Sequence, residues 1–278
     1  MNLEAFVPFV TYPEANADAC AMHAVSLAAS LNAGLHAVAI NADIPNVSNA
    51  LSTFLLDTPT MIREAEAASR QRGEHLLALV REKAQAAGVD VATAAIAAPL
   101  ASLAEYAATR ARYFDLSLVG WEAGNTTSRT TAEAVVFGSG RPTILLPELS
   151  DIADFEHVAI AWDGSRVAAR AVADARPFLQ HASRISVITV LGEKPLKEKD
   201  VGDRLAEVLR ERGLDATAIP VKAQDCPIAE TLQQTAIERG AQLLIMGGYG
   251  HSRIRDFVLG GATAGVLGDL LMPVLLSH

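Results

Sequence analysis

The sequence predicts an α/β protein of two tandem doubly wound domains, each a five-stranded parallel sheet with helices on both faces. Three observations carry this. Short apolar runs alternate along the chain with stretches whose apolar residues recur every three to four positions, the pattern of strand followed by helix. The order starts afresh near His157 and runs through a second time. Each half closes on a short apolar run opened by proline, Pro142 to Leu146 and Pro273 to Leu276. Local matches reinforce the repeat, with Leu103-Ala104-Glu105 beside Ile228-Ala229-Glu230 and Ala87-Gly88-Val89-Asp90 beside Arg212-Gly213-Leu214-Asp215. The joint falls in the acidic stretch Glu148 to Glu156, so the domains are expected at 1–149 and 150–278. One sheet of ten strands is the alternative; two domains are preferred because each half closes with its own proline-led strand.

In the first half, Phe6 to Tyr12 is an apolar run and a first strand, ended by Tyr12-Pro13. Glu14 to Asn32 carries Ala19, His23, Leu27 and Leu31 at four-residue steps, one face of a helix closed by Gly34. Leu35 to Ile40 is a second strand, and Asn41 to Pro59 is expected to be irregular. Met61 to Ala87 is a long helix stopped at Gly88, followed by a strand from Val89 to Ala97. Ser102 to Arg112 is helical, Leu116 to Gly120 a strand, Thr131 to Phe137 a short helix, and Pro142 to Leu146 the last strand.

In the second half, His157 to Trp162 is a strand ending in Asp163-Gly164-Ser165. Val167, Ala171, Val172, Ala175 and Leu179 form a helical stripe. Ile185 to Leu191 is a strand, and Val201, Leu205, Val208 and Leu209 line a helix that stops at Gly213. Ala216 to Val221 is a strand, and Ile228 to Arg239 a helix stopped by Gly240. Leu243 to Met246 is a buried strand that runs straight into Gly247-Gly248-Tyr249-Gly250. Beyond Gly260, Thr263, Val266, Leu267 and Leu270 share one helix face.

That last strand, loop and helix have a chemical use. Glycine allows positive φ and close approach of a ligand to the backbone. A helix N-terminus offers unpaired N–H groups and partial positive charge, which suit a phosphate. A plain strand-to-helix turn accounts for the glycines equally well on spacing alone. Neither common phosphate loop is present, since no Gly-Lys-Ser/Thr follows and the G-x-G-x-x-G order is absent.

Met246-Gly247-x-x-Gly250, nine residues, Gly260 and a final Pro273 to Leu276 strand together resemble the signature of the universal stress protein family. The family pattern sets a Ser or Thr after the last loop glycine, where this chain has Gly261. The resemblance implies a Rossmann-like fold, akin to the adenine nucleotide alpha hydrolases, in both halves. It also implies an adenine nucleotide, ATP or AMP with Mg²⁺ allowed, over the strand ends of the second half. Carried over by position, Ala161, Trp162 and Asp163 flank adenine and ribose, and Val190 packs on the base. Met246, Gly247, Gly250, Gly260, Gly261 and Ala262 surround ribose and phosphates, and Thr263 is a substitute hydroxyl. Asp163 suits ribose hydroxyls as an acceptor, or simply makes an Asp-Gly turn before the next helix. The first half departs at these places. Tyr12 stands where Asp163 is expected, and Trp121, Glu122 and Ala123 follow Gly120, so Glu122 sets a negative charge against a phosphate. From Gly120 to Pro142 is 22 residues, against 26 from Gly247 to Pro273. The first half is expected to keep the fold and lose the site. The resemblance further implies that the two last strands pair antiparallel within one chain, an intramolecular pseudo-dimer, with a homodimer also allowed.

Composition narrows the function classes. The formal charge is −9, which disfavours a nucleic-acid groove. No uncharged apolar run is long enough to span a membrane, and the N-terminus lacks a secretory pattern. Cys20 and Cys226 make no disulfide framework, which fits reducing cytoplasm. Seven histidines are scattered without zinc spacing, so no metal site is expected. His251, Ser252, Arg253, Arg255 and Asp256 lie in the loop; His251 and Arg253 are within reach of a phosphate there, but loop residues of these types are more often solvated, so no catalytic residue is assigned. The leading reading is a cytoplasmic nucleotide-binding regulator or sensor in stress response. A weak ATP-hydrolysing enzyme and an interaction module with a vestigial site are the alternatives.

Overall fold

The computed structural model describes residues 3–45, 57–150, 155–192, 200–222, 226–248 and 261–278. The chain divides into two units, Met1–Ser139 and Gly140–His278. In the first unit, β1 (Glu4–Val10), α1 (Asp18–Ser30), β2 (Gly34–Asp43), α2 (Thr58–Ala87) and β3 (Val91–Pro99) follow one another. A 3₁₀ turn, α3 (Leu103–Ala111), β4 (Leu116–Trp121) and α4 (Thr126–Gly138) complete it. The strand order is β3-β2-β1-β4 and each pairing is parallel.

The second unit opens with β5 (Thr143–Pro147) and β6 (His157–Ala161). Helices α5 (Arg166–Asp174) and α6 (Arg176–His181), strand β7 (Arg184–Leu191), helix α7 (Val201–Glu211) and strand β8 (Ala216–Lys222) come next. Then follow α8 (Ile228–Glu238), β9 (Leu243–Gly247), α9 (Gly261–Gly268) and β10 (Val274–Ser277). The order β8-β7-β6-β9-β10 is parallel throughout. Strand β5 adds antiparallel to β10, with Leu145 opposite Val274 and Ile144 opposite Leu275. The last strand of the first repeat is thereby held by the last strand of the second. This draws the division between units to residue 139, upstream of the acidic stretch.

Local chemistry sets the element ends. Asp57 accepts the Thr60 N–H at the start of α2, with Pro59 in the first turn, and Gly88 ends the helix at φ +69°. The Val89 N–H is tied back to Ala84, so β3 begins at Val91 rather than Val89. Helix α4 starts five residues before the expected Thr131, because Asn125 caps it. The single helix expected from Val167 to Leu179 is two, broken at Ala175, with Pro177 opening the second. Part of Asn41 to Pro59, expected to be irregular, extends β2 to Asp43; residues 46–56 lie outside the described residues.

The ladders align the repeats residue by residue. Ala5 pairs with Leu35 and Leu116, and Leu35 with Val91. Val158 pairs with Ile185 and Leu243, and Ile185 with Ala216. Gly120 therefore corresponds to Gly247. Asp163 corresponds to Val10, not to Tyr12 as the sequence suggested. The segment between first strand and first helix is longer in the first unit (residues 11–17) than in the second (162–165), and Tyr12 sits in the added length.

Leu145, Ile144 and Leu275 are fully buried where β5 meets β10. Leu145→Ala is expected to cost about 3 kcal/mol, through lost burial and the cavity left behind. A lowered urea midpoint with native circular dichroism before the transition checks this.

Candidate functional site

Parallel strands leave their carboxyl ends at one edge, and the order reverses between the first and fourth strands of each repeat, where doubly wound sheets bind ligands. In the second unit those strands are β6 and β9, which pair directly. Ala161 ends β6, half-buried, and the Trp162 N–H extends the ladder to the Ile188 carbonyl at 2.8 Å. The Trp162 indole Nε1 donates to the Val201 carbonyl at 3.0 Å, tying this turn to the start of α7. Asp163 is exposed, and its Oδ1 accepts the Ser165 N–H at 2.9 Å. Ser165 Oγ in turn accepts the Ala168 N–H at 3.2 Å and caps α5. Asp163 thus makes the Asp-Gly turn, with Gly164 at φ +71°. An ionised carboxylate has further acceptor positions beyond that single bond. Val190 is half-buried near the end of β7, whereas Met246 is only 4% exposed and belongs to the core.

Gly247 answers to packing. A Cβ there would lie 2.6 Å from the Val167 carbonyl carbon and 2.7 Å from the Ala168 nitrogen, so α5 rests on bare backbone at the end of β9. The Gly248 N–H continues the sheet to the Ser277 carbonyl at 2.7 Å, and its carbonyl meets His278 Nδ1 at 3.1 Å. Gly250 and Gly260, with His251 to Asp256, lie outside the described residues. Gly261 opens α9, Ala262 is half-buried, and Thr263 is 4% exposed, packed inside the unit with Val266 and Leu267. Gln233 on α8 fixes the far end of α9, donating to the Asp269 carbonyl at 2.9 Å and accepting the Leu271 N–H at 2.8 Å. A Cβ on Gly265 would meet Ala229 Cβ at 2.5 Å, so α9 lies close against α8. The site edge therefore collects Ala161, Trp162, Asp163 and Val190 from the first two strands. Gly247 and the first turn of α9 come from the other side. The residues fit a nucleotide: a half-buried apolar rim, an exposed carboxylate, and a helix N-terminus whose first N–H groups have no partner within their own helix.

The first unit uses the same edge differently. Glu122, just past β4 and 7% exposed, accepts from Asn16 Nδ2 at 3.1 and 3.3 Å and from the Ala17 N–H at 3.0 Å. Asn16 Oδ1 accepts the Val10 N–H at 2.9 Å. At the start of α4, Asn125 Oδ1 accepts from Thr127 and Ser128, and Glu14 Oε2 takes the Thr126 N–H at 3.1 Å. The donors a phosphate would use there are met by the chain's own carboxylates and amide. Over the ends of β1 and β2, Ser69 of α2 bonds Thr11 Oγ1 at 2.6 Å and accepts the Ala42 N–H at 2.9 Å. Asp18, at the start of α1, bonds His75 at 3.0 Å and Arg72 at 2.7 Å. The His75 bond first, then the Arg72 charge, holds its carboxyl below the usual range against the opposing effect of burial. The acidity of Glu122 was legible in the sequence. Its partners were not, because Asn16 and Ala17 lie in the longer connecting segment of the first unit.

Among the described residues no group of three His, Cys, Asp or Glu is placed to hold a metal ion, and no helix is long and apolar enough to cross a membrane.

Two repeats of a 3-2-1-4 parallel order, with a glycine-closed fourth strand, define a tandem doubly wound α/β class of protein. The sequence profile of the Universal stress protein family matches residues 154–278. A universal stress protein of Thermus aquaticus is 33% identical over 136 residues, covering 44% of this chain and 98% of the relative. The chain belongs to the universal stress protein family. A universal stress protein structure from Archaeoglobus fulgidus DSM 4304 superposes with a TM-score of 0.66 at 14% identity, covering 98% of each chain. A functionally unknown protein from Pseudomonas aeruginosa PAO1 gives a TM-score of 0.54 at 16% identity, covering 98% of this chain and 92% of its own. At these identities the two structures speak for the fold, and they do so over both repeats.

Two outcomes follow from the first unit. Glu122→Ala strands the buried Asn16 amide and is expected to cost about 2 kcal/mol, whereas Glu122→Gln keeps an acceptor and costs less; urea unfolding of both variants checks the order. Burial, with the Glu122 charge adding to it, pushes the Cys20 thiol far up. Mass-resolved alkylation near pH 8 is expected to spare Cys20 in the native protein and label it on unfolding.

Proposed function

We propose that the second unit binds one adenine nucleotide, ATP or AMP, and that the chain acts as a regulatory or sensor protein in stress response. The observation that carries this is the contrast between two matching strand edges. The first unit meets its own helix N-terminal donors with Glu14, Asn125 and Glu122. The second presents Asp163, a half-buried apolar rim at Ala161, Trp162 and Val190, and the first turn of α9. In this reading Asp163 accepts from ribose hydroxyls with its remaining acceptor positions, and Val190 and Ala161 lie against the base. The loop glycines Gly247, Gly250, Gly260 and Gly261, with Ala262, close around ribose and phosphates, while Met246 and Thr263 are buried and support them from the core. The α9 N–H groups receive a phosphate, as a helix N-terminus favours. A divalent ion such as Mg²⁺ would arrive with the nucleotide, held by its phosphates.

The proposal takes 1–149 as a repeat that keeps the fold without the site, and 150–278 as the nucleotide-binding repeat. The antiparallel β5–β10 ladder supports an internal pseudo-dimer of the two. A cytoplasmic setting is part of the reading, supported by two free cysteines, one of them buried. Hydrolysis is not part of it, since no described side chain at the site pairs a base with a nucleophile.

Calorimetry is expected to give one nucleotide per chain; two would overturn the asymmetry, and none at submillimolar ligand would overturn the reading. Gly250→Val is expected to abolish binding, because a side chain enters the phosphate path. Asp163→Ala weakens binding with little change in stability. Thr263 is buried within the unit, so it does not stand in for the hydroxyl missing at Gly261. Gly261→Ser is therefore expected to tighten ATP binding by roughly one to two decades, the worth of a hydrogen bond to a charged group. Thr263→Ala acts on stability instead.

A further inference from the structure

The two repeats end their sheets on equivalent outer strands, β3 and β8, and treat those edges in opposite ways. The pairing of Leu35 with Val91 and of Ile185 with Ala216 makes Ala95 the counterpart of Pro220, and Ala97 the counterpart of Lys222. In a parallel ladder successive residues turn their N–H and C=O alternately toward one neighbour and the other. The Leu35 N–H bonds the Asp90 carbonyl, so even-numbered residues of β3 face β2 and odd-numbered ones face outward. The Ile185 N–H bonds the Asp215 carbonyl, so in β8 it is the even-numbered residues that face outward. Pro220 thus removes an N–H from the middle of the free edge, and Lys222 sets a charge at another outward position. These are two devices by which edge strands escape pairing.

Strand β3 has neither. Its nine residues, Val91 to Pro99, carry no charge, and proline occurs only at the final position. Ala92, Ala94, Ala95, Ala97 and Pro99 are exposed. Among the described residues, β3 pairs with β2 alone, and nothing is bonded to the outward N–H groups of Val91, Thr93, Ala95 and Ala97. The alanine side chains are too small to hold another backbone away.

We propose that the outer edge of β3 is an interaction surface for a second copy of this chain, joined by antiparallel β3–β3 pairing centred on Ala95. The strand is self-complementary. A two-fold axis at Ala95 sets Ala95 opposite itself, Thr93 opposite Ala97, and Val91 opposite Pro99. Each of the first two kinds of pair exchanges two backbone hydrogen bonds. The Val91–Pro99 pair makes one, and Pro99 ends the ladder. No like charges oppose each other across the pairing, which suits an isologous contact in an otherwise acidic chain. Because Pro220 and Lys222 block β8, the contact closes at two chains instead of growing into a filament. Pairing through one strand buries less area than a standard stable interface, so the dimer is concentration-dependent.

Sedimentation velocity of the full chain at physiological salt, from micromolar to submillimolar protein, tests this. A reversible monomer–dimer equilibrium is expected. Ala95→Pro installs the residue that the second repeat already tolerates at the equivalent place, removing an outward N–H while leaving the β2 ladder intact. It is expected to weaken the dimer by about tenfold or more, with an unchanged thermal midpoint. Ala95→Lys, which keeps the N–H, is expected to weaken it as well, and Val208→Lys on α7 to leave it unaltered. A chain that stays monomeric at every concentration overturns the proposal and leaves the edge to a strand from another protein. A dimer undisturbed by both Ala95 variants, each folded as the parent, overturns it too.

Discussion

In each repeat the fourth strand and the first helix meet at one point so closely that a side chain does not fit. At Gly247 an added Cβ would press on the backbone of Val167 and Ala168; at Gly120 it would lie 2.6 Å from Cys20 Sγ and 3.2 Å from Asn16 Nδ2. Everything at the carboxyl edge depends on this approach. It brings the start of the first helix down beside the end of the fourth strand. In the first repeat the turn that precedes the helix, Asn16 to Ala17, then reaches Glu122, which follows the strand. A glycine that sequence analysis assigns to a ligand is first a condition for helix and sheet to close.

On this shared frame the first repeat meets its helix N-termini with acceptors of its own. Each helix leaves its first N–H groups without partners inside itself. In the first repeat Glu122, Glu14 and Asn125 accept from them, and the acceptors are covalently part of the chain. An internal acceptor loses no translational freedom on binding, so a free anion competes at a large disadvantage. The longer segment 11–17 supplies Glu14 and Asn16, and the shorter segment 162–165 of the second repeat holds neither residue type. Helix α2 adds to the closure. Gly73 lies against Ala39 and Asn41, as Gly202 lies against Thr189 and Ala218, so the helices cross their sheets at matching points. Helix α2 begins fifteen residues before that crossing and α7 one residue before it, and the extra length carries Ser69 and Glu66 onto the end of β2.

The same divergence runs to the outer strands. Duplication gives both repeats the same edge, with backbone groups that pair with any strand able to approach. A proline and a lysine blunt one edge, and five alanines in nine residues leave the other smooth.

The sequence by itself determined the class of fold, because the alternation of apolar runs with helical stripes is a local signal that survives in each element. It determined the repeat and the strand from Leu243 into glycine, for the same reason. Element ends were legible where a glycine stops a helix, and not where a side-chain cap or a break inside a helix decides them. Gly88 stops α2 as expected, whereas the Asn125 cap and the break at Ala175 shifted α4 and divided the expected Val167–Leu179 helix. What only the tertiary structure decided was set by contacts distant in sequence. Val10, not Tyr12, matches Asp163 because ladders count residues and loops absorb insertions. Glu122 is a structural acceptor because Asn16, 106 residues away, comes to it across the sheet edge. Ala95 and Pro220 became comparable only once the register of two outer strands was known, since which side of a strand an N–H faces is fixed by pairing and not by sequence.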